Sequence, residues 1–149
     1  MTVGKICNRD VVVTRADDTI ESVARLMKEY HIGDIVVVED RGGGQMAPVG
    51  IVTDRDVVVE VIAAGVAPDA VTVGDIMSFE LVTAHEDDSL WDTLQRMRIN
   101  AVRRVPVIDG QGALAGILTL DDLLELLAGE LVDLARVANR QRDRRPHPA

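Results

Sequence analysis

Apolar residues recur along the chain at two spacings, and each spacing predicts a type of secondary structure. Helical spacing marks a first helix through four apolar residues: Ile20, Val23, Ala24 and Met27. Two β-branched runs follow, at 35–38 and 49–53, and predict strands joined by the glycine-rich loop 41–47. A second helix is expected over 54–64, and a short extended segment at 11–14 precedes the first helix. The predicted order is therefore β-α-β-β-α.

Capping residues mark the ends of these helices. Asp18 is predicted as the N-cap of the first helix, because a carboxylate can accept hydrogen bonds from the free amides there. Together with Glu21 it also resembles a capping box. Asp88 is the corresponding N-cap later in the chain, and Gly65 suits the left-handed position that ends the second helix.

The whole pattern occurs twice. Three segments of the first half recur in the second: 3–6 as 73–76, 17–20 as 87–90, and 50–53 as 116–119. The offset falls from 70 to 66 residues because the loop 41–47 is longer than its counterpart 110–112, and loops absorb such changes. We therefore expect one repeat over 1–66, a second over 67–129, and a C-terminal helical extension with a basic tail over 130–149.

Composition excludes some functions. Hydrophobic residues make up 47% of the 149 residues, which suits a globular fold, but aromatic residues only 2%. The net charge is −9. An acidic chain with few aromatic side chains is a poor match for nucleic acid, which is bound by basic grooves and aromatic platforms. No apolar segment approaches the roughly 20 residues that span a bilayer, so no membrane partner is expected.

Cysteine usage indicates a reducing compartment. Cys7 is the one cysteine, so no internal disulfide can form, and the first ten residues lack an apolar signal core. These features predict a cytoplasmic protein. Cys7 aligns with Met77 in the repeat, which predicts an apolar packing role for both.

One motif whose residues could bind a ligand lies at the same place in each repeat, where a strand leads into a helix. Its residues are Gly50, Ile51, Thr53 and Asp56 in the first copy, and Gly116, Ile117, Thr119 and Asp122 in the second. Free amides at the helix start suit an anion, and a carboxylate can accept hydrogen bonds from both hydroxyls of a vicinal diol. The structural alternative is that Thr-x-x-Asp forms a capping box and nothing more. Both interpretations can hold together.

The two repeats resemble tandem CBS domains, also called a Bateman module. The resemblance extends over about 3–128 and is most specific at 48–56, 103–109 and 116–122. It implies an α/β (α+β) fold of two pseudo-symmetric β-α-β-β-α units packed sheet to sheet. It also implies a regulatory role, with an adenosine-containing ligand (AMP, ADP, ATP or S-adenosylmethionine) in the clefts, no covalent cofactor, homodimerisation and a protein target that the sequence does not identify.

Charged residues distinguish the two expected clefts. The resemblance implies that Arg104 reaches phosphate, and its neighbour Arg103 and, in the first repeat, Arg55 are added to the candidate ligand-binding residues because they lie near the expected phosphate positions. Asp121 lies near the second cleft too, but two guanidinium groups outnumber this one carboxylate, which favours the second cleft for phosphate. In the first repeat Asp34 stands where Arg104 stands in the second, which favours an uncharged or cationic adenosyl ligand there.

Two further features leave alternatives open. The last helix carries an apolar stripe that either packs on its own domain or forms a helix–helix contact between subunits: Leu120, Leu123, Leu124, Leu127, Leu131, Leu134 and Ala138. The arginine-rich tail after it either contacts an acidic partner or is a solvated terminus. No nucleophile–base set and no metal-ligand spacing stands out, so we expect neither catalysis nor a metal site. A ligand-free assembly domain is the alternative to the sensor.

Overall fold

The computed structural model describes residues 1–143, which form two three-stranded sheets of the same topology. The strands are β1 (Val13–Thr14), β2 (Asp34–Asp40), β3 (Met46–Thr53), β4 (Ala84–His85), β5 (Arg104–Ile108) and β6 (Leu114–Thr119). In each sheet the short first strand lies parallel to the second, which pairs antiparallel with the third. The predicted β-α-β-β-α order is confirmed in both halves.

Helices accompany each sheet in the predicted places. They are a 3-10 turn (Val3–Lys5), α1 (Ile20–Tyr30), α2 (Asp54–Asp56) continued by a π-helical segment (Val57–Ile62), α3 (Val73–Ile76), α4 (Leu90–Ile99) and α5 (Leu120–Asp143). Gly65 has a φ of +70°, the left-handed conformation predicted for it. No helix within residues 1–143 is long and apolar enough to cross a membrane.

The predicted N-caps were wrong by one residue. Thr19 caps α1 by accepting a hydrogen bond from the Ser22 amide at 3.2 Å, and Ser89 takes the same place on α4. The Asp18 carboxylate instead accepts from the Thr14 hydroxyl at 2.7 Å and the Arg15 amide at 2.8 Å. Because the preceding turn uses this carboxylate, the hydroxyl one residue later caps the helix and no Asp18–Glu21 box forms.

Each sheet is completed by a segment from the other half of the chain. The Val3 amide donates to the Asp88 carbonyl at 3.0 Å, and the Val73 amide donates to the Asp18 carbonyl at 2.9 Å. Further along, backbone bridges join Asn8 to Ile117. The segments 1–8 and 71–78 are therefore exchanged between the halves.

The exchange also places core residues. Val3 and Cys7 belong to a core with Val105, Val107 and Leu118 from the second half, among others. The core of the first half likewise contains two residues from the other half, Val73 and Met77, packed among Ile20, Val23, Ile35, Val37, Val52 and Val61. The packing role predicted for Cys7 and Met77 is confirmed, and burial raises the pKa of the Cys7 thiol.

The last helix packs on the second core only along its first two turns. Leu123 is buried and Leu126 is partly buried against that core. Every residue from 128 to 142 is exposed. The stripe therefore packs on its own domain only at its start, and the alternative, a helix–helix contact between subunits, stays a prediction for the exposed part. The predicted tail lies in part at 144–149, outside the described residues.

Candidate functional site

An ion pair joins the two halves at equivalent positions of the repeat. Arg104 Nη1 donates to Asp34 Oδ1 at 2.6 Å, and Arg104 Nε contacts Asp34 Oδ2. The Asp34 side chain is 10% exposed and that of Arg104 34%. At the hairpin ends of the sheets the equivalent residues Gln45 and Gln111 also contact each other. These two pairs mark the pseudo-two-fold axis that relates the repeats.

Burial governs the acidity of Asp34 more than its partner does. Desolvation raises the pKa of this carboxyl above its usual range, although the adjacent Arg104 guanidinium acts in the opposite direction. The Asp54 carboxylate adds a smaller upward contribution. Burial therefore disfavours the charged form of Asp34, and the contact with Arg104 offsets part of that cost.

A cavity of about 160 Å³ lies beside this pair, between the two sheets. Its lining comes from both halves: Asn8, Asp10, Val11, Val12, Ile32, Asp34, Val36, Arg104, Ile117 and Thr119. Five of these residues are aliphatic, and the five polar ones come from both halves of the chain, with Arg104 and Thr119 from the second repeat. Pockets that enclose small ligands usually measure roughly 300–1,000 Å³, so this cavity must widen to admit a nucleoside.

Both Thr-x-x-Asp motifs form capping boxes. The Thr119 amide donates to Asp122 Oδ2 at 2.9 Å, and the Asp122 amide donates to the Thr119 hydroxyl oxygen at 3.1 Å. The Thr119 hydroxyl also donates to Asp122 Oδ2, at 2.7 Å. Thr53 and Asp56 form the same two backbone bonds in the first repeat, at 2.9 and 3.1 Å. The structural alternative is thus realised, and Thr119 lines the cavity at the same time.

The two motif glycines lie beneath the exchanged segments. A Cβ on Gly116 would lie 2.8 Å from both the Asn8 carbonyl oxygen and the Cys7 Sγ. A Cβ on Gly50 would lie 2.6 Å from the Ser78 carbonyl oxygen. Close approach of these backbones requires glycine at both positions. Beside them, Ile117 reaches the cavity wall, whereas Ile51 pairs with Ser78 through its backbone.

The structure separates the predicted arginines. Arg103 is exposed and lines a different cavity, of about 510 Å³, beside Leu94 and Met97 of α4. Arg55 is exposed at the start of α2, where its amide donates to its neighbour Asp54. The charge comparison between two clefts also changes, because Asp34 and Arg104 line one cavity and neutralise each other.

Sequence reasoning missed the cavity residues that precede the first strand. Asn8, Asp10 and Val12 line the cavity because the exchange brings the N-terminal segment beside β6. The only sequence signal for this placement was the alignment of 3–6 with 73–76, which marks the two segments as equivalent. An alignment does not say which half of the chain a segment packs on. Within residues 1–143 no group of three or more His, Cys, Asp or Glu side chains is placed to hold a metal ion.

Comparison with known proteins identifies the family. The model of the CBS domain matches twice, over residues 3–63 and 73–129. The chain belongs to the CBS domain family. As a CBS pair it is a regulatory module. The protein MK0525 of Methanopyrus kandleri is 35% identical to it over 126 residues, which are 85% of this chain and 62% of the relative. The chain therefore spans less than two thirds of that relative's length.

Solved structures share the fold over most of the chain. The CBS domain pair of MJ0100, solved in complex with 5′-methylthioadenosine and S-adenosyl-L-methionine, is 25% identical with a TM-score of 0.72. The alignment covers 87% of this chain and 98% of that one. The cytosolic domain of the Mg²⁺ channel MgtE, solved in complex with ATP, is 26% identical with a TM-score of 0.70. That alignment covers 84% of this chain and 48% of that one.

Proposed function

We propose that this CBS pair is a sensor that binds an adenosine-containing ligand between its two sheets. The observation that carries the proposal is the cavity that joins Thr119, at the start of α5, to the Arg104 guanidinium across an aliphatic wall. A cleft that combines aliphatic walls with several polar groups fits a nucleoside, with the base between the sheets and the ribose or phosphate near the helix start. The adenosyl ligands of MJ0100 and MgtE agree with this class.

Asp122 is proposed to accept hydrogen bonds from the ribose hydroxyls. Its carboxylate already accepts from the amide and the hydroxyl of Thr119. A ribose diol offers two donors, so it can take the place of the Thr119 hydroxyl without leaving the carboxylate unsatisfied. The released hydroxyl, together with the amides of the first turn of α5, would then face a phosphate. We propose the same roles for Thr53 and Asp56 in the first repeat.

Ligand charge would be sensed at the pair of Asp34 and Arg104. A phosphate that binds Arg104 must compete with Asp34, whose carboxylate is nearly buried. Separation of the pair, with widening of the small cavity, would change how the two halves meet. Only a ligand that binds the widened arrangement more tightly can shift the equilibrium toward it.

We propose that the module is cytoplasmic, works as a homodimer, holds no covalent cofactor, performs no catalysis and passes its signal to a protein target. We do not propose a nucleic-acid or membrane partner, because the net charge of −9 opposes binding to phosphate backbones and anionic surfaces.

Calorimetric titration with AMP, ADP, ATP, adenosine and S-adenosylmethionine tests the proposal. The Asp122→Ala variant should bind at least about tenfold more weakly, which corresponds to roughly 1.4 kcal/mol. Glu125→Ala removes an exposed carboxylate one turn along the same helix and should leave the Kd unchanged. Circular dichroism of each variant confirms that loss of the capping box has not unfolded α5. Equal affinity in wild type and Asp122→Ala would remove this residue from the site.

A ligand-free assembly domain is the second candidate, and two observations favour it. Both Thr-x-x-Asp motifs are satisfied internally as capping boxes. The end of α5 is long, exposed and partly apolar. If none of the five compounds binds to the wild-type protein, this candidate replaces the sensor.

A further inference from the structure

The last helix extends well beyond the domain that it belongs to. The α5 extension, residues 128–142, is exposed throughout, whereas the corresponding helical segment of the first repeat ends at Ile62. At 1.5 Å per residue the α5 extension is about 22 Å long. Isolated helices of this length are marginal in water, so a partner surface is expected to stabilise it.

An apolar seam runs along α5 from the domain into this extension. Alternating steps of four and three residues define it: Leu120, Leu124, Leu127, Leu131, Leu134 and Ala138. This is the spacing of the a and d positions in a coiled coil. Leu131 and Leu134 are 66% and 65% exposed, so the seam is open where the domain no longer covers it. Gly129 lies on the opposite side of the helix, where it does not interrupt the seam.

The charges along α5 differ between its two ends. Between 121 and 133 every charged residue is acidic, five in all, whereas 136–142 contains three arginines and no acid. This order suits the dipole of the helix itself. It also bears on the orientation of a second helix, because Asp121 and Arg142 both flank the seam.

We propose that the α5 seam binds the same seam of a second copy of this chain, with the two helices antiparallel. In that orientation Leu131 packs against Leu134 of the other copy, and Arg142 lies beside Asp121 at each end. A parallel pair would place the acidic segments side by side and the three arginines of each copy together. Arg136 contacts Asp133 at 3.4 Å within the helix, on the side away from the seam, so this exposed pair is compatible with the arrangement.

This inference rests on the proposed homodimer and not on ligand binding. It specifies the surface and the orientation of the dimer. The ligand titration therefore serves as an independent readout, since the proposed ligand site lies between the sheets and uses only the first turn of α5, whereas Leu131 and Leu134 lie in the α5 extension.

Sedimentation velocity of full-length variants tests the surface. Leu131→Lys with Leu134→Lys places four lysines in the seam of a dimer and should weaken self-association at least about 100-fold. Val132→Lys adds the same side chain at a half-exposed position outside the seam and should leave self-association unchanged. Unchanged self-association in the double variant, or a monomeric wild-type protein, would overturn the inference. Ligand affinity should stay at the wild-type value in all three proteins.

A double-mutant cycle of charge reversals tests the antiparallel orientation of the two helices. Asp121→Arg and Arg142→Asp should each weaken the antiparallel dimer about fivefold, because each brings like charges together at both ends. The two changes combined in one chain restore opposite charges and should restore the wild-type association. In a parallel pair neither residue faces the other, so failure of the combined variant to recover would overturn the antiparallel orientation.

Discussion

Asp34 and Arg104 are equivalent residues of the two repeats, 70 positions apart, and they bind each other across the pseudo-two-fold axis. A residue next to such an axis contacts its own counterpart, so an identical pair would place two like charges together. Divergence of the repeats has supplied opposite charges at this position. The contact that holds the halves together at the cavity therefore depends on the repeats being different.

Removal of one partner of this pair should destabilise the fold. Asp34→Ala leaves the Arg104 guanidinium half-buried without a counter-charge, which we expect to lower the free energy of unfolding by about 2 kcal/mol. The charge-swapped double variant, Asp34→Arg with Arg104→Asp, keeps an ion pair with the two charges reversed. It should recover at least half of the lost unfolding free energy. Urea denaturation followed by circular dichroism measures both. A loss that the exchange does not reduce would show that the attraction between the charges contributes little.

The same carboxylate should control selectivity for ligand charge. Asp34→Asn removes the competitor for Arg104 while keeping the shape of the side chain, so binding of AMP and ATP should strengthen by about tenfold. Binding of uncharged adenosine should change little, because adenosine has no group that competes with Asp34. Calorimetry of the three compounds provides the comparison. An equal gain for adenosine and AMP would contradict competition between phosphate and Asp34.

A methyl group at Gly116 should separate the exchanged segment from β6. Gly116→Ala brings the new Cβ to 2.8 Å from the Asn8 carbonyl oxygen and the Cys7 Sγ, which requires a backbone shift. We expect a loss of about 2–3 kcal/mol in unfolding free energy. Gly110→Ala is the matched control, since a Cβ there has no atom within 4 Å. Equal stability of the two variants would show that the segment moves without cost.

Acid should weaken the fold through Asp88. The His85 amide donates to this carboxylate at 2.9 Å and Arg96 contacts it, and together these groups lower the pKa of Asp88 below its usual value. A carboxyl with a lowered pKa in the folded state stabilises the protein above its unfolded pKa, near 4, and loses this contribution as the pH falls through the folded pKa.

The Asp88→Asn variant separates this contribution from the other carboxylates. Between pH 7 and pH 5 it should be less stable than wild type by a constant amount. The difference should shrink as the pH is lowered below about 4, where Asp88 becomes protonated in the unfolded chain, and should continue to shrink until the folded-state carboxyl is protonated as well. Thermal denaturation across this range measures the trend, and a difference that stays constant to pH 2 would contradict it.

The sequence was sufficient to predict elements and motifs, but not contacts between the halves. The repeat predicted both sheets and placed Thr119 and Asp122 at the start of α5, because strand and helix spacings are local properties. The Thr19 cap was missed because an aspartate and a threonine are adjacent, and tertiary contacts decide which one faces the helix amides. The pairing of Asp34 with Arg104 could not be foreseen, because a repeat does not reveal where its symmetry axis lies.

The exchange of the segments 1–8 and 71–78 has a consequence for the order of events during synthesis. Residues 71–78 complete the core of the first half and follow that half directly along the chain. The first half can therefore close soon after residue 78 leaves the ribosome. The core of the second half needs Val3 and Cys7, which are made first but whose core partners lie between Ala84 and Leu123. At typical synthesis rates of about 5–20 residues per second, the N-terminal segment stays unpaired for several seconds. The first residues of the chain are thus among the last to reach their final positions.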